Sequence, residues 1–153
     1  MRVNTRLFGE IDIADDKIIT LDKGIVGFPE LKHFTIIYDT ENDKEDKTSI
    51  MWFQSLDEPQ FALPVIDPSV ILPDYAPVIN NELLEPLGEL NDDNLLILVT
   101  IKVPGDVKQM TVNLRAPLII NADTLKGGQL ITDDENDVRF PIYDLLQNAK
   151  GGE

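Results

Sequence analysis

The sequence contains no cysteine, a single histidine and few basic residues, with 13 Lys and Arg among 153 residues. The absence of cysteine excludes disulfide bonds, thiolate metal sites, iron–sulfur clusters and cysteine nucleophiles. The single histidine also excludes a pair of histidine metal ligands. The basic residues face 28 Asp and Glu, so the formal net charge is −15. Such a surface repels phosphate backbones and acidic membranes, and we expect no direct contact with either.

Long apolar runs are also missing. The most apolar segment, residues 95–101, is far too short to span a bilayer, and the first ten residues lack the apolar core of a signal peptide. Hydrophobic residues nevertheless make up 42% of the chain, which is enough for one buried core at this length. We therefore expect a soluble, cytoplasmic protein.

The strongest pattern in the chain has a period of two. Residues 110–120 alternate apolar and polar side chains, as a half-buried strand requires, and Pro117 predicts a bulge or a break into two short strands. Further segments rich in β-branched and aromatic residues predict strands at residues 3–8, 17–21, 34–38, 50–55, 62–66, 95–103 and 129–132. Glycine, proline and aspartate turn formers separate them, including Lys126-Gly127-Gly128. The prediction is a mainly β fold, a small antiparallel β-barrel-like single domain.

Helical segments are short. Leu83, Leu84, Leu87 and Leu90 have helical spacing behind Asn80 and Asn81 as N-caps, but Pro86 favours two turns over one helix. A C-terminal helix is predicted from Pro141, with apolar residues at i, i+3, i+4 and i+7 from Ile142. We expect the barrel-like domain to cover residues 1–142 and a short helical tail to cover residues 143–153.

No pattern assembles a catalytic centre. His33 is better explained as a residue at the edge of a strand than as a general base, because a base needs an oriented partner. Asp133, Glu135 and Asp137 alternate like calcium ligands, but Val138 stands where a calcium loop needs glycine. A solvated acidic turn is the simpler interpretation. We expect no enzymatic activity, no metal site and no cofactor.

Two segments have features that interfaces use. In Pro73, Asp74 and Tyr75, a tyrosine flanked by proline lies beside an acidic residue, as in a rigid interface anchor. Ile101, Val103 and Pro104 end a strong strand, whose edge could accept a partner segment. Packing of the tyrosine onto the barrel and an ordinary core strand explain the same residues equally well. Both alternatives stay open at the level of sequence.

Several segments together resemble a known family. In order and spacing they are FGEI (8–11), GIVGFPEL (24–31), WFQSLDEP (52–59), VIDP (65–68), PDY (73–75) and MTVNLRAP (110–117). This series is similar to that of the flagellar assembly factor FliW family, from about residue 2 to about residue 142. No single motif decides the resemblance, which depends on their joint order.

The resemblance implies a non-enzymatic binding protein. FliW-like proteins bind flagellin in the cytoplasm and, when free of flagellin, bind and antagonise the translational regulator CsrA, which relieves repression of flagellin translation. CsrA-like proteins present basic RNA-binding surfaces, which a protein of net charge −15 would attract. By resemblance we expect Pro73, Asp74, Tyr75, Ile101, Val103 and Pro104 to contact partners, Asn113 to serve the strand structure, and the free protein to be monomeric.

Two other functions compete with this interpretation. The excess of carboxylates would suit a hydrolase that uses an acid pair, although so many acids would produce pairs by chance. A carbohydrate-binding barrel could use Trp52 and Tyr75 as platforms for sugar rings. An exposed Trp52 would favour that alternative, whereas a buried Trp52 would weaken it.

Overall fold

The computed structural model describes residues 2–5, 9–38, 50–132 and 138–145. Most of the regular secondary structure in these ranges is β-strand, and turns and short helical segments connect the strands. In chain order the strands are β1 (Arg2–Thr5), β2 (Gly9–Asp12), β3 (Ile19–Leu21), β4 (His33–Tyr38), β5 (Met51–Ser55), β6 (Ala62–Ile66), β7 (Leu95–Lys102), β8 (Thr111–Val112), β9 (Leu118–Asn121), β10 (Lys126–Gln129) and β11 (Phe140–Pro141).

Seven strands close into a barrel in the order β7-β6-β5-β4-β3-β10-β9, and β9 pairs back onto β7. Strands β8 and β11 extend from the outer part of β7, and β1 and β2 form a separate antiparallel pair. The pairings within the barrel are antiparallel except for β3 with β10, which is parallel. The predicted β-barrel-like fold is confirmed, and closure removes the exposed edges that an open sheet would present.

The alternating segment 110–120 forms two strands, as Pro117 predicted. Strand β8 pairs with the end of β7, and β9 pairs with its beginning. Between them, the side-chain oxygen of Asn113 accepts hydrogen bonds from the N–H groups of Arg115 at 3.0 Å and Ala116 at 3.2 Å. Asn113 therefore stabilises the break by satisfying backbone donors that no strand neighbour satisfies.

The apolar side chains form two clusters. The cluster inside the barrel contains Phe34 and Phe53, whose rings stack with centroids 4.5 Å apart. Burying each ring contributes about 1.5–3 kcal/mol to stability. The second cluster lies where β8 joins β7 and contains Val112, Ile101 and Ile142. The barrel is thus packed with side chains, and this second cluster attaches the outer strands to it.

The position of β10 corrects a prediction. Lys126-Gly127-Gly128 is part of a strand and not a turn, since Gly127 pairs with Ile120 on one side and with Leu21 on the other. A Cβ atom on Gly127 would lie 3.0 Å from the carbonyl oxygen of Ile119, so close packing of neighbouring strands explains the glycine. The turn precedes β10, where Leu125 has a positive φ of 59°.

Strands β6 and β7 separate near Pro64. In the described residues they pair at two positions, Val65 with Thr100 and Ile66 with Val99. The Ser55 N–H donates a hydrogen bond to the carbonyl oxygen of Phe61, just before β6. Since every second residue of a strand faces the same neighbour, the peptide groups of Leu63 and Val65 also face β5. The backbone nitrogen of Pro64 consequently faces β7, and it carries no hydrogen to donate to that strand. This absent donor gives a physical reason for the end of the pairing.

The helical predictions hold in part, because the C-terminal helix begins at residue 143 and not at Pro141, which pairs with Thr111 as part of β11. Helix α1 (Asn81–Leu84) is capped by Asn80, whose side chain accepts a hydrogen bond from the N–H of Glu82, and a 3-10 turn (Glu85–Leu87) contains Pro86. Two short turns therefore replace one helix, as predicted. Residues 143–145 are helical. The rest of the C-terminal helix, the acidic loop 39–47 and the alternating acids at 133–137 lie outside the described residues.

Candidate partner-binding surface

The Tyr75 segment, residues 73–75, is anchored to the second cluster. Pro73 and Asp74 are exposed, whereas the half-buried Tyr75 packs against the cluster. Its hydroxyl donates a hydrogen bond of 2.6 Å to the carbonyl oxygen of Leu114, in the break between β8 and β9. The tyrosine therefore joins the segment to the barrel, and Pro73 and Asp74 are the members that face solvent.

The end of β7 divides its residues between core and surface. Ile101 is 5% exposed and belongs to the second cluster, which Tyr75 also contacts. Val103 is 49% exposed, and Pro104 is half-buried. The structure thus brings Tyr75 and Ile101 to one cluster beneath the surface. Of the predicted contact residues, Val103, Pro73 and Asp74 are the most accessible to a partner.

A third segment was not singled out as a site by sequence reasoning. Residues 24–29, here called the ridge, form a tight turn in which Ile25 N–H donates to Phe28 O at 3.2 Å and Phe28 N–H donates to Ile25 O at 2.7 Å. Gly24 has a φ of 68°, and a Cβ there would lie 2.6 Å from the carbonyl oxygen of Phe28. A glycine is therefore required, because only glycine combines this φ with so close an approach.

The ridge exposes apolar side chains at its tip. Val26 is 58% exposed and Phe28 is 44% exposed. The Val26 N–H donates to the side-chain oxygen of Gln129 at 2.9 Å, and the Phe28 ring contacts that of Phe61 with centroids 4.9 Å apart. The signal in the sequence was the pair of apolar residues within a glycine-containing turn, since turns ordinarily carry polar side chains.

Two grooves lie on either side of the ridge, and Ile25, Val26 and Gln129 line both. The β10 groove has a volume of about 460 Å³ and is lined by Asp22, Lys23, Gly24, Ile25, Val26, Gly27, Pro29, Leu83, Pro86, Leu87, Lys126, Gly127, Gly128, Gln129 and Leu130. The β7 groove has a volume of about 430 Å³ and is lined by Ile25, Val26, Phe28, Phe61, Leu63, Thr100, Ile101, Lys102, Thr111, Asn113, Gln129, Val138 and Arg139. The second groove opens where β6 and β7 separate.

The charged residues described along these grooves are mainly basic, in contrast to the chain as a whole. Lys23 and Lys126 line the β10 groove, and Lys102 and Arg139 line the β7 groove. Asp22 is the acidic residue among the described lining residues. Acidic residues outnumber basic ones by 28 to 13 in the sequence, whereas four of the five charged residues described along the grooves are basic.

The histidine and its neighbours form a structural clamp. The Asp57 carboxylate accepts hydrogen bonds from the N–H groups of Lys32 at 2.7 Å and His33 at 2.9 Å, and lies 3.1 Å from Nδ1 of His33. Partial burial raises the pKa of Asp57, but these bonds and the imidazole outweigh that effect and hold the pKa below its ordinary value of 3.8. A carboxylate held ionised in this way is unsuited to act as a general acid.

The remaining functional predictions concern metals and sugars. Within ranges 2–5, 9–38, 50–132 and 138–145, no three His, Asp or Glu side chains form a group that could bind a metal ion. Trp52 is half-buried in β5, between Ile37 of β4 and Pro64 of β6. It therefore does not provide the freely exposed ring that a sugar platform would use.

Comparison with known proteins identifies the family. The sequence matches the profile described as FliW protein over residues 2–142. The chain belongs to the FliW family. A flagellar assembly factor FliW of Lachnospira eligens is 50% identical over 152 residues, which cover 98% of this chain and 99% of that protein. A second such factor, of Lachnoclostridium phytofermentans, is 45% identical over 97% of this chain and 94% of its own length.

The fold of a known FliW structure agrees with this assignment. A crystal structure of the flagellar assembly factor FliW superimposes with a TM-score of 0.82 and 25% identity, over 94% of this chain and 97% of that one. The resemblance predicted from the ordered motifs is confirmed, and the FliW family places the protein among the flagellar assembly factors. Among the described residues of this FliW chain, no helix has the length and hydropathy needed to cross a membrane.

Proposed function

We propose that this protein is a non-enzymatic, cytoplasmic regulator that binds flagellin and, when free of flagellin, binds and antagonises a CsrA-type translational regulator. The observation that carries the proposal is membership of the family of flagellar assembly factors over residues 2–142. In this scheme, export of flagellin frees the protein to bind the regulator, and repression of flagellin translation is relieved. Partner exchange therefore couples flagellin synthesis to assembly.

The charge of the protein supports one half of this exchange. A net charge of −15 accelerates encounter with a basic RNA-binding protein and opposes binding to the RNA itself. The steering is long-ranged and screened by salt, so association with the regulator slows as ionic strength rises. Antagonism at a contact outside the RNA-binding site would be an allosteric coupling between regulator and RNA.

The contact residues proposed are Pro73, Asp74, Tyr75, Ile101, Val103 and Pro104. Among these six residues, Pro73, Asp74 and Val103 are the most accessible, so they would touch the partner. Tyr75 and Ile101 would hold those residues in place through the second cluster. Asp74 suits a basic partner by charge, and Val103 suits an apolar patch on either partner.

The deciding experiment is a titration of the purified protein into a complex of the CsrA-type regulator with RNA, both from the same organism. We expect RNA to be released, and added flagellin to suppress the release. Folded protein that releases no RNA at any concentration and forms no complex with flagellin would contradict the proposal.

A pair of variants tests the proposed contacts. Val103→Asp is expected to weaken binding of one partner about tenfold while the fold survives, because a charge would be desolvated in an apolar contact. Val78→Asp is the matched control, since Val78 is also a large exposed apolar residue and lies outside the proposed contacts. Equal effects of the two substitutions on both partners would remove Val103 from the interface.

A further inference from the structure

Exposed apolar side chains cluster around the β7 groove. Val26, Phe28 and Val138 are three of the large hydrophobic residues that the described surface exposes, and all three line this one groove. Contiguous apolar surface is rare on monomeric proteins, and it marks sites of interaction when polar groups surround it. The groove has the volume and lining to accept several apolar side chains of a partner segment.

The groove is built in advance of any partner. The two backbone bonds between Ile25 and Phe28 close the turn, and the bond from Val26 N–H to Gln129 fixes the tip to β10. The Phe28 ring rests on Phe61, next to the separation between β6 and β7. Because these side chains are already held in place, binding requires little additional ordering, and more of the contact energy is available as affinity.

The charges at the groove specify what it binds. Lys102 and Arg139 line the β7 groove, and neither forms an ion pair within 4 Å with another residue that the structure describes. Lys23 and Lys126, on the other side of the ridge, extend this cationic rim. An apolar segment that carries carboxylates beside its apolar side chains complements such a groove, whereas a basic surface is repelled by it.

We infer that the β7 groove is the flagellin-binding site and that it takes a segment of flagellin in which carboxylates flank apolar residues. This inference rests on the proposed function, which supplies the two candidate partners. The proposed regulator would present a basic RNA-binding surface, which the acidic excess of the chain attracts and the cations described at the groove disfavour.

The first test reverses the charge of the rim. Binding of purified flagellin to the full chain is measured by calorimetry for Lys102→Glu/Arg139→Glu and for the control Lys17→Glu/Lys108→Glu. The control makes the same change in net charge at exposed cations that do not line either groove. We expect the rim variant to bind flagellin at least about tenfold more weakly, and the control to change affinity less than about threefold.

The second test removes apolar character without changing shape. Val26→Thr/Val138→Thr replaces a methyl group by a hydroxyl at two groove positions, and Val78→Thr does so at an exposed position outside the groove. We expect at least about fivefold weaker flagellin binding for the groove variant and no change for the control. Thermal unfolding of every variant separates a binding defect from a folding defect.

The outcomes distinguish this inference from the proposed function. If the wild-type chain binds flagellin and both groove variants bind as well as their controls, the groove assignment is wrong while the proposed function survives. If the wild-type chain does not bind flagellin, both are wrong. A docking segment of flagellin that proves basic, with affinity raised by Lys102→Glu/Arg139→Glu, would overturn the assigned chemistry.

Discussion

The ridge and the Tyr75 segment each contain an aromatic residue and a proline, yet the two aromatic side chains have different roles in the fold. Tyr75 is half-buried, and its hydroxyl is tied to the carbonyl oxygen of Leu114. Phe28 contacts Phe61 on one side and leaves much of its ring exposed on the other. The hydrogen bond of Tyr75 fixes its segment to the core. The Phe28 ring, which the backbone of the ridge holds in place, stays available for contact with a partner.

The two segments also depend on different forces. The ridge obtains its shape from glycine conformations and from two backbone hydrogen bonds within the turn. The Tyr75 segment obtains its place from packing against the second cluster. The ridge should therefore be sensitive to backbone substitutions, and the Tyr75 segment to changes in its side chains.

The largest effect is expected from Gly24→Ala. The new Cβ would lie 2.6 Å from the carbonyl oxygens of Phe28 and Pro29, at a φ of 68°. We expect the free energy of unfolding, measured by urea denaturation, to fall by about 2–4 kcal/mol. Gly27→Ala is the control, since its φ is also positive but nothing lies within 4 Å, and it should cost about 1 kcal/mol. Equal losses would show that close approach does not shape the ridge.

Tyr75→Phe tests the other segment. Removing the hydroxyl leaves the Leu114 carbonyl without this 2.6 Å hydrogen bond, so we expect a loss of about 1–2 kcal/mol in the free energy of unfolding. Tyr143→Phe provides the control, because no described residue receives a hydrogen bond from that hydroxyl and the ring is likewise half-buried. A stability loss confined to Tyr143→Phe would refute the anchoring role of Tyr75.

Phe28→Ala should affect stability less than binding. The ring is partly exposed and contacts Phe61 at a centroid distance of 4.9 Å, so we expect a loss of about 1 kcal/mol in denaturant titrations. Phe34→Ala, which removes a fully buried ring stacked on Phe53, calibrates the scale at about 3–5 kcal/mol. A cost for Phe28→Ala as large as that for Phe34→Ala would mean that the ridge belongs to the core.

The smallest effect is expected from Asp57→Asn, at the clamp just beyond the ridge. The carboxylate accepts bonds from the N–H groups of Lys32 and His33, and replacing it should cost about 0.5–1 kcal/mol at neutral pH. The folded-state pKa of Asp57 lies below 3.8, so its contribution is present above 3.8 and is lost as pH falls through the folded pKa. Urea titrations of both proteins between neutral and acidic pH should therefore converge. A difference that grows on acidification would contradict the clamp.

The sequence predicted the elements whose signals are local. The alternation in residues 110–120 and the proline within it predicted two strands, because side-chain direction and the missing N–H are properties of the chain itself. Asn80 and Pro86 likewise predicted a capped turn followed by a second one. The order of short motifs predicted the family, since each motif serves the local geometry of one turn or strand.

Other features depended on distant neighbours. Lys126-Gly127-Gly128 has the composition of a turn, but it forms a strand because Ile120 and Leu21 pair with it from both sides. The ridge has the composition of a turn, and whether its apolar tip is covered depends on what the barrel places beside it. The same holds for Ile101, whose burial is decided by the second cluster.

The sequence by itself determined the β-barrel-like class, the family, the net charge and the lack of cysteine chemistry, because composition, period and motif order are written along the chain. Tertiary structure alone decided that Lys102 and Arg139 meet Val26 and Phe28 at one groove. These residues are far apart in sequence and come together through closure of the barrel and the separation of β6 from β7. Only folding brings such residues into contact, so the charge and shape of the groove could not be read from local patterns.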